Sequence, residues 1–281
     1  MRKRLPEWLR NKSPLTAEAN QVREVLTELR LNTVCHSAQC PNRGQCYGEG
    51  TATFLILGEV CTRNCRFCAV TKGTAQPLDP TEPERVMAAV ARLNLGHVVI
   101  TSVTRDDLPD GGACQFVKTI RLIKEKLPQV SVEVLTPDFK GDKDVILSVA
   151  EAGPDIYNHN LETIPRLYEK IRPEADYKRS LDLLKWVKEY GKTRITKSGI
   201  MVGFGETLGE VERVMDDLRE VDCDILTIGQ YLQPTRNHLP VVEYVKPETF
   251  EVWRESALGK GFKHVSSGPL VRSSFHAGQY Q

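Results

Sequence analysis

The chain has 281 residues, 40% hydrophobic and 27% charged, with 38 Lys and Arg against 37 Asp and Glu. That length holds one large α/β domain or two small ones, and the composition is that of a soluble globular protein. A formal net charge of +1 leaves no global field to gather nucleic acid or an anionic membrane surface.

In chain order, the first segment, MRKRLPEWLRNKSP, is locally basic: Arg2, Lys3, Arg4, Arg10 and Lys12 face one acid, Glu7. No apolar stretch of signal-peptide length follows it, and no apolar run of about 18 residues appears anywhere. We read it as a solvated arm docked through Trp8 and Leu9, an organelle-targeting remnant being the alternative, and expect a cytoplasmic or otherwise reducing location with no membrane association. ATFLILG, from Ala52, predicts a strand, and the loop CTRNCRFC (61–68) follows it directly. PERVMAAVARLNLG predicts a helix with Val86, Val90 and Leu93 on one stripe, and HVVITSV the next strand. The alternation continues through FVKTIRLIKEKLP and VSVEVLTP, KDVILSVAEAG and DIYNHNLE, then a helix from about Leu181 to Tyr190 and ITKSGIMVGFGE. LGEVERVMDDLREV, with Val211, Val214, Leu218 and Val221 aligned, precedes DILTIGQYLQP, and a last helix, PETFEVWRESALGKG, runs into HVSSGPLVRSSF.

Strands alternating with helices of about 10–15 residues imply βαβ units and a parallel sheet. Six units are clear where a closed eightfold barrel needs two more, so the expected fold class is α/β, a partial, open (β/α)6 barrel. Residues 51–262 form that barrel, with extensions at 1–50 and 263–281. Chemistry on such a sheet belongs at the carboxyl ends of the strands, where the loop after the first strand falls.

Eight cysteines are unevenly spread: six lie between Cys35 and Cys68, while Cys114 and Cys223 stand alone. A secreted disulfide scaffold is short and cysteine-dense throughout, so the clustered thiolates read as metal ligands and the isolated pair as small buried apolar residues. Cys61-x3-Cys65-x2-Cys68 brings three soft ligands into one loop, which selects zinc, copper(I) or iron–sulfur clusters. Structural zinc takes four ligands and catalytic zinc recruits His or carboxylate. Three thiolates after a strand therefore suit a four-iron cluster whose fourth iron is left for a small molecule, with a zinc loop as the rival reading. Cys35-x4-Cys40-x5-Cys46 is a rarer spacing, which by itself also admits a zinc site completed by His36.

With Phe67 before its last cysteine, C-x3-C-x-aromatic-C resembles the radical S-adenosylmethionine (radical SAM) signature. That resemblance implies an open iron chelated by the amino and carboxylate groups of S-adenosylmethionine, and one-electron cleavage of its sulfonium to a 5′-deoxyadenosyl radical. The second triple, together with RLPEWLR, VITSVTRDDLPDGGA, VEVLTPDF, YNHNLET, GIMVGFGET, GQYLQPT and GPLVRSSFHAG, extends the resemblance over almost the whole chain to the lipoyl synthases. It implies a sulfurtransferase with two 4Fe-4S clusters. Cys61, Cys65 and Cys68 would hold the radical-generating cluster. Cys35, Cys40, Cys46 and Ser274, of Arg272-Ser273-Ser274, would hold an auxiliary cluster consumed as the sulfur source. A hard serine oxygen on an otherwise soft site detaches more readily than a fourth thiolate; without the resemblance, Ser273 and Ser274 read as ordinary turn serines. The family's usual RSSYHA is RSSFHA here, so Phe275 keeps a ring for packing and lacks the hydroxyl.

The resemblance further implies two insertions, at C6 and C8 of an octanoyl chain on a lysine of a lipoyl carrier domain, each using one S-adenosylmethionine. The implied partners are octanoylated glycine cleavage H protein and 2-oxoacid dehydrogenase E2 subunits, a low-potential donor such as ferredoxin or flavodoxin, and iron–sulfur carrier proteins. A monomer is expected. Rival readings are another radical sulfur-inserting or methylthiolating enzyme, a non-catalytic iron–sulfur electron carrier and a zinc-dependent binding module; a transfer-RNA modifier would normally add a basic domain.

Strand-end polar residues are expected to line the cofactor pocket: Thr101 and Ser102, Glu133, Asn160 and Glu162, with Arg172 pairing the methionyl carboxylate. Helix caps and loop hydrogen bonds are their alternative roles. GFGET (203–207) lacks the phosphate-loop patterns and suits close backbone approach to the cofactor. Asp110 is expected to cap the helix after Gly111 and Gly112. Arg105, Asp106 and Asp107 read as barrel-mouth or solvated loop charges, and His159 as a core histidine or a substrate-facing one.

Overall fold

The computed structural model describes residues 5–10, 16–193 and 195–280. Arg2, Lys3, Arg4 and Lys12 of the basic arm lie outside the described residues. Within the arm, Leu9 is buried at 3% exposure while Trp8 stays 40% exposed, so the docking runs through the leucine.

The strands are β1 (Asn32–Thr33), β2 (Thr53–Ile56), β3 (Val60–Cys61), β4 (Thr71–Lys72), β5 (His97–Ser102), β6 (Ser131–Leu135), β7 (Ile156–Asn158), β8 (Ile195–Val202), β9 (Ile225–Gln230) and β10 (His264–Gly268). The helices are α1 (Ala17–Glu28), α2 (Val34–Ser37), α3 (Arg43–Gly48), α4 (Glu82–Arg92), α5 (Ala113–Lys126), α6 (Lys143–Glu151), α7 (Tyr168–Ile171), α8 (Tyr177–Tyr190), α9 (Leu208–Glu220) and α10 (Pro247–Gly259). Eight strands form one sheet in the order β1-β2-β5-β6-β7-β8-β9-β10. Every pair from β2 to β10 is parallel, and β1 runs antiparallel to β2. With β1 and β10 at its two edges the barrel is open, as expected. The six strand–helix units are joined by β10 as a further parallel strand, so both flanking segments contribute to the same sheet.

Each outer helix presents residues three and four apart to the sheet, the spacing that aligns one helix face. Val86, Ala89 and Val90 of α4 are buried in this way, as are Phe116, Ile120 and Ile123 of α5 and Val211, Val214, Met215 and Leu218 of α9. α8 begins one turn before the expected start because the Asp176 carboxylate accepts the Arg179 N–H. Asp110 does hold the start of α5, accepting from the Gly112 and Cys114 N–H groups. Cys114 itself is exposed, off the helix's buried stripe, which corrects its expected burial; Cys223 is buried.

Inside the barrel, strand side chains alternate between faces. Ile156, Ile195 and Ile225 form a separate apolar plug. Beside it, the Lys197 ammonium lies 2.9 Å from the Glu133 carboxylate, both side chains fully buried. Gly203 fits tightly elsewhere: a Cβ there would meet Gln230 Nε2 at 2.1 Å and the Glu243 carbonyl at 2.7 Å. The close approach of GFGET is thus to nearby segments of the same chain, at Gln230 and Glu243, rather than to the cavity described next. Among the described residues no helix is long and apolar enough to cross a membrane.

Candidate active site

A cavity of about 550 Å³ opens at the carboxyl ends of the strands and is lined by all six clustered cysteines. Phe67, Thr101, Ser102, Asn160, Glu162, Arg172, Ser273 and Ser274 line it as well. Of the expected site residues Glu133 alone does not. Period-two alternation puts it on the inner face two residues before cavity-lining Leu135, where Lys197 and Asn158 donate to one carboxylate oxygen and His97 Nε2 lies 3.5 Å from the other. Glu133 is thereby corrected from a cofactor contact to an interior ion pair.

The loop CTRNCRFC is fastened on several sides. β3 and β4 pair in parallel across it, the Thr62 N–H donates to the Thr104 carbonyl, and the Arg66 N–H donates to the Ile171 carbonyl. Lys72 Nζ donates to the Cys65 carbonyl, and His238 Nε2 lies 3.0 Å from the Cys68 carbonyl. Arg63, which the motif hid between two cysteines, is only 5% exposed and ties the loop to the barrel rim. Its Nε lies 2.6 Å from Asp106 Oδ2 and its Nη2 2.6 Å from Asp138 Oδ1. Arg179 Nη2 lies 2.8 Å from the other Asp138 oxygen. Arg105 is also buried, forked onto Asp107.

Burial raises the Asp138 titration, but its hydrogen bond and charge attraction to Arg63 outweigh that, and its pKa falls to about 2. A depressed carboxylate stabilises the fold above its unfolded titration near 3.9, and this is lost as pH falls through 2. The contribution is about 2–3 kcal/mol. Asp138→Asn should lower the stability of the metal-free protein by about 2–3 kcal/mol at neutral pH, because Arg63 keeps only Asp106. In acid titrations followed by circular dichroism, the gap between native and variant should close between about pH 4 and pH 2; a gap that does not depend on pH would assign the loss to packing.

Both triples sit among hydrogen-bond donors suited to thiolates. The Thr104 N–H donates to Cys61 Sγ at 3.3 Å, Val70 offers its N–H to Cys68, and Thr53 offers Cys35 both backbone and hydroxyl. Burial pushes the thiols up, Cys46 and Cys68 to about 12, and Cys35 and Cys65 in the same direction. Within each set the charge of one cysteine is felt by another: Cys61 and Cys65 by Cys68, Cys35 and Cys40 by Cys46. The donor set, soft and three-fold twice over, fits iron–sulfur clusters.

The C-terminal segment reaches this cavity because both the cysteine-bearing N-terminal segment and the barrel hold it. Asn42, two residues beyond Cys40, donates Nδ2 to the Leu270 carbonyl at 2.7 Å, and His276 lies 3.5 Å from Glu49. Asn160 Nδ2 donates to Ser273 Oγ at 2.6 Å and to Glu162 at 3.1 Å. The Phe275 ring stacks on His276 with centroids 3.9 Å apart, the packing role left to it without a hydroxyl. Arg172 Nη1 donates to the Asn160 and Leu161 carbonyls, while its buried Nε has no partner among the described residues. His159 is a neutral imidazole, its pKa lowered to about 4 by burial and by Arg172; its Nδ1 lies 2.9 Å from the Thr136 carbonyl. None of Arg63, Asn42 or His238 was marked by sequence pattern, because each acts across more than forty residues or through a backbone carbonyl.

A partial parallel barrel with a three-cysteine loop at the carboxyl end of its first parallel strand defines the radical SAM class, and a model of the radical SAM superfamily matches residues 55–218. The fold is shared with methylornithine synthase, at TM-score 0.58 and 16% identity over 90% of this chain and 82% of that one. It is also shared with Streptococcus suis SuiB bound to S-adenosylmethionine, at TM-score 0.60 and 13% identity over 80% of this chain and 54% of that one. The model described as the N-terminal domain of lipoyl synthase of the radical SAM family matches residues 1–40. Lipoyl synthase of Caldanaerobacter subterraneus subsp. tengcongensis is 60% identical over 98% of this chain and 96% of its own length. That of Rubrobacter xylanophilus is 54% identical, over 97% and 85% respectively. The chain belongs to the lipoyl synthase family.

Proposed function

We propose that this chain inserts two sulfur atoms at C6 and C8 of an octanoyl group carried on a lysine of a lipoyl carrier domain. The observation that carries the reading is that both cysteine triples and the C-terminal serines line one cavity. When bound, one cluster supplies the electron that cleaves S-adenosylmethionine to the hydrogen-abstracting radical, and the other supplies the sulfur.

The chain's own residues divide this work. Cys61, Cys65 and Cys68 hold the first cluster, with Arg63 fixing their loop. Glu162 and the unpartnered edge of Arg172 offer opposite charges to the ammonium and carboxylate of a methionyl group, while Thr101 and Ser102 offer hydroxyls. Cys35, Cys40, Cys46 and Ser274 hold the auxiliary cluster. Ser273 is engaged by Asn160, which favours its neighbour as the ligand. An octanoylated H protein or E2 domain is the substrate, a ferredoxin or flavodoxin the reductant, and iron–sulfur carriers rebuild the auxiliary cluster.

Iron and acid-labile sulfide after anaerobic reconstitution test the reading. We expect about eight of each in the native chain and about four in a Cys35→Ala, Cys40→Ala, Cys46→Ala variant. Four in both, or zinc on Cys35, Cys40 and Cys46, would remove the sulfur donor.

A further inference from the structure

A second recess, of about 520 Å³, lies against the cysteine loop and is lined by Asn64, Arg66, Cys68, Lys72, Asn237 and His238 among others. Cys68, Ala69, Val70 and Lys72 line both this groove and the main cavity, so a wall one strand of chain thick separates them. Arg66, Lys72, Asn64 and Asn237 are exposed, and so is Arg236 beside Asn237. Among the described residues no Asp or Glu lines the groove; Glu174 meets its edge, accepting the Asn64 N–H at 3.3 Å. His238 lies with Nε2 3.0 Å from the Cys68 carbonyl and Nδ1 2.8 Å from Thr235 Oγ1, which fixes the groove's far wall to a cluster ligand.

We infer that this groove is where an acidic one-electron carrier protein docks to reduce the cluster on Cys61, Cys65 and Cys68. The inference rests on the proposed function, because only a reductive cleavage needs electrons from outside. It adds the place of entry. The protein as a whole is nearly neutral, so a partner gains nothing from long-range attraction and must be oriented by local charge. Arg66, in the groove's lining, and Arg236, next in sequence to the lining residue Asn237, supply that charge beside a groove that touches a cluster ligand. The carrier gives up one electron and is oxidised, the cluster accepts it, and no atom is transferred. Rim charges of this kind act mainly on association rate and on its salt dependence.

The test uses the reconstituted full chain and measures 5′-deoxyadenosine formation against the concentration of reduced flavodoxin, with dithionite as a small-molecule control. For an Arg66→Glu, Arg236→Glu variant at low ionic strength, the half-saturating flavodoxin concentration should rise at least tenfold. The dithionite-driven rate should stay within about twofold, and the native dependence on salt should flatten. An unchanged flavodoxin curve with an unchanged dithionite rate overturns the docking site. Should the double variant lose its dithionite rate, Arg236→Glu alone decides, since it lies outside the cysteine loop: a rise of at least threefold supports the site and no rise overturns it. A native protein that makes no 5′-deoxyadenosine even with dithionite fails the functional reading instead.

Discussion

Gly229→Ala should abolish sulfur insertion while sparing the radical cluster. Gly229 lies in β9, and a Cβ there would meet the Val271 carbonyl oxygen at 2.1 Å. Ordinary contact needs more than another ångström, and the obstructing atom is backbone, which cannot rotate aside. The strand itself is pinned by parallel pairing to β8 and β10, so the C-terminal segment must yield. Val271 immediately precedes Arg272, Ser273 and Ser274, and Gly199, on the neighbouring strand, leaves similar clearance, with Ser273 Oγ 3.4 Å from where its Cβ would be. Displacing this segment by about an ångström removes the serine from the auxiliary site and breaks the Asn160–Ser273 hydrogen bond; misplacements of that size cost about two orders of magnitude in rate. We expect iron after reconstitution to fall from about eight per chain toward four. Deoxyadenosine formation should survive within a few-fold, and thiolated product should fall at least 100-fold. Gly259→Ala, at a position with open space around it, is the matched control. Eight irons with full insertion in Gly229→Ala would show that the C-terminal segment does not hold the cluster.

The sequence revealed most of what positions the site, for reasons that differ by element. Helices such as α4 and α9 carry enough apolar residues at three- and four-residue spacing to announce a buried face, and β5 and β6 are short apolar runs. β10 escaped because HVSSG has no apolar run; its place comes from register with β9, which no local pattern encodes. α1 also went unread, although Val22, Val25 and Leu26 behind a Thr16 cap are an ordinary helix signal. At the site, cysteine spacing marked six residues that the structure brings to one cavity, because three thiolates spaced within one short loop share a face of it. Glu133 misled for the opposite reason: a carboxylate in a predicted strand signals the inner face, but not how deep in the barrel it sits. Depth depends on the strand's stagger against its neighbours, and that is fixed only by the assembled sheet.

Glu162→Gln should weaken S-adenosylmethionine binding strongly and leave the fold as stable as before or more so. Glu162 holds a left-handed backbone, φ 66°, a conformation that side-chain-bearing residues adopt at a cost of about 1–3 kcal/mol. The backbone is locked there by β8, since the Glu162 N–H donates to the Gly199 carbonyl and its own carbonyl accepts from Met201. Burial pushes the carboxyl pKa up against the lesser opposing effects of Arg172 and the Asn160 hydrogen bond, so its charge is poorly compensated in the protein alone. A group held in strain and short of a cation is placed for a ligand that brings one, and the methionyl ammonium does. Gln keeps the size and removes the charge, so the metal-free protein should unfold at the same temperature or higher, since a desolvated charge is gone. A lost charged hydrogen bond of about 2–3 kcal/mol lowers affinity for S-adenosylmethionine roughly 30- to 150-fold, measured by equilibrium dialysis on the cluster-loaded protein. The pH dependence separates charge from shape. Native affinity should decline as acidification reaches the raised titration of Glu162, while the variant's should stay flat over the same range. Unchanged affinity in Glu162→Gln would put the ammonium on other groups that line the cavity, such as Thr101 and Ser102. A large drop in stability would instead make Glu162 a support for the β7–β8 junction, its strain then a cost of folding rather than of binding.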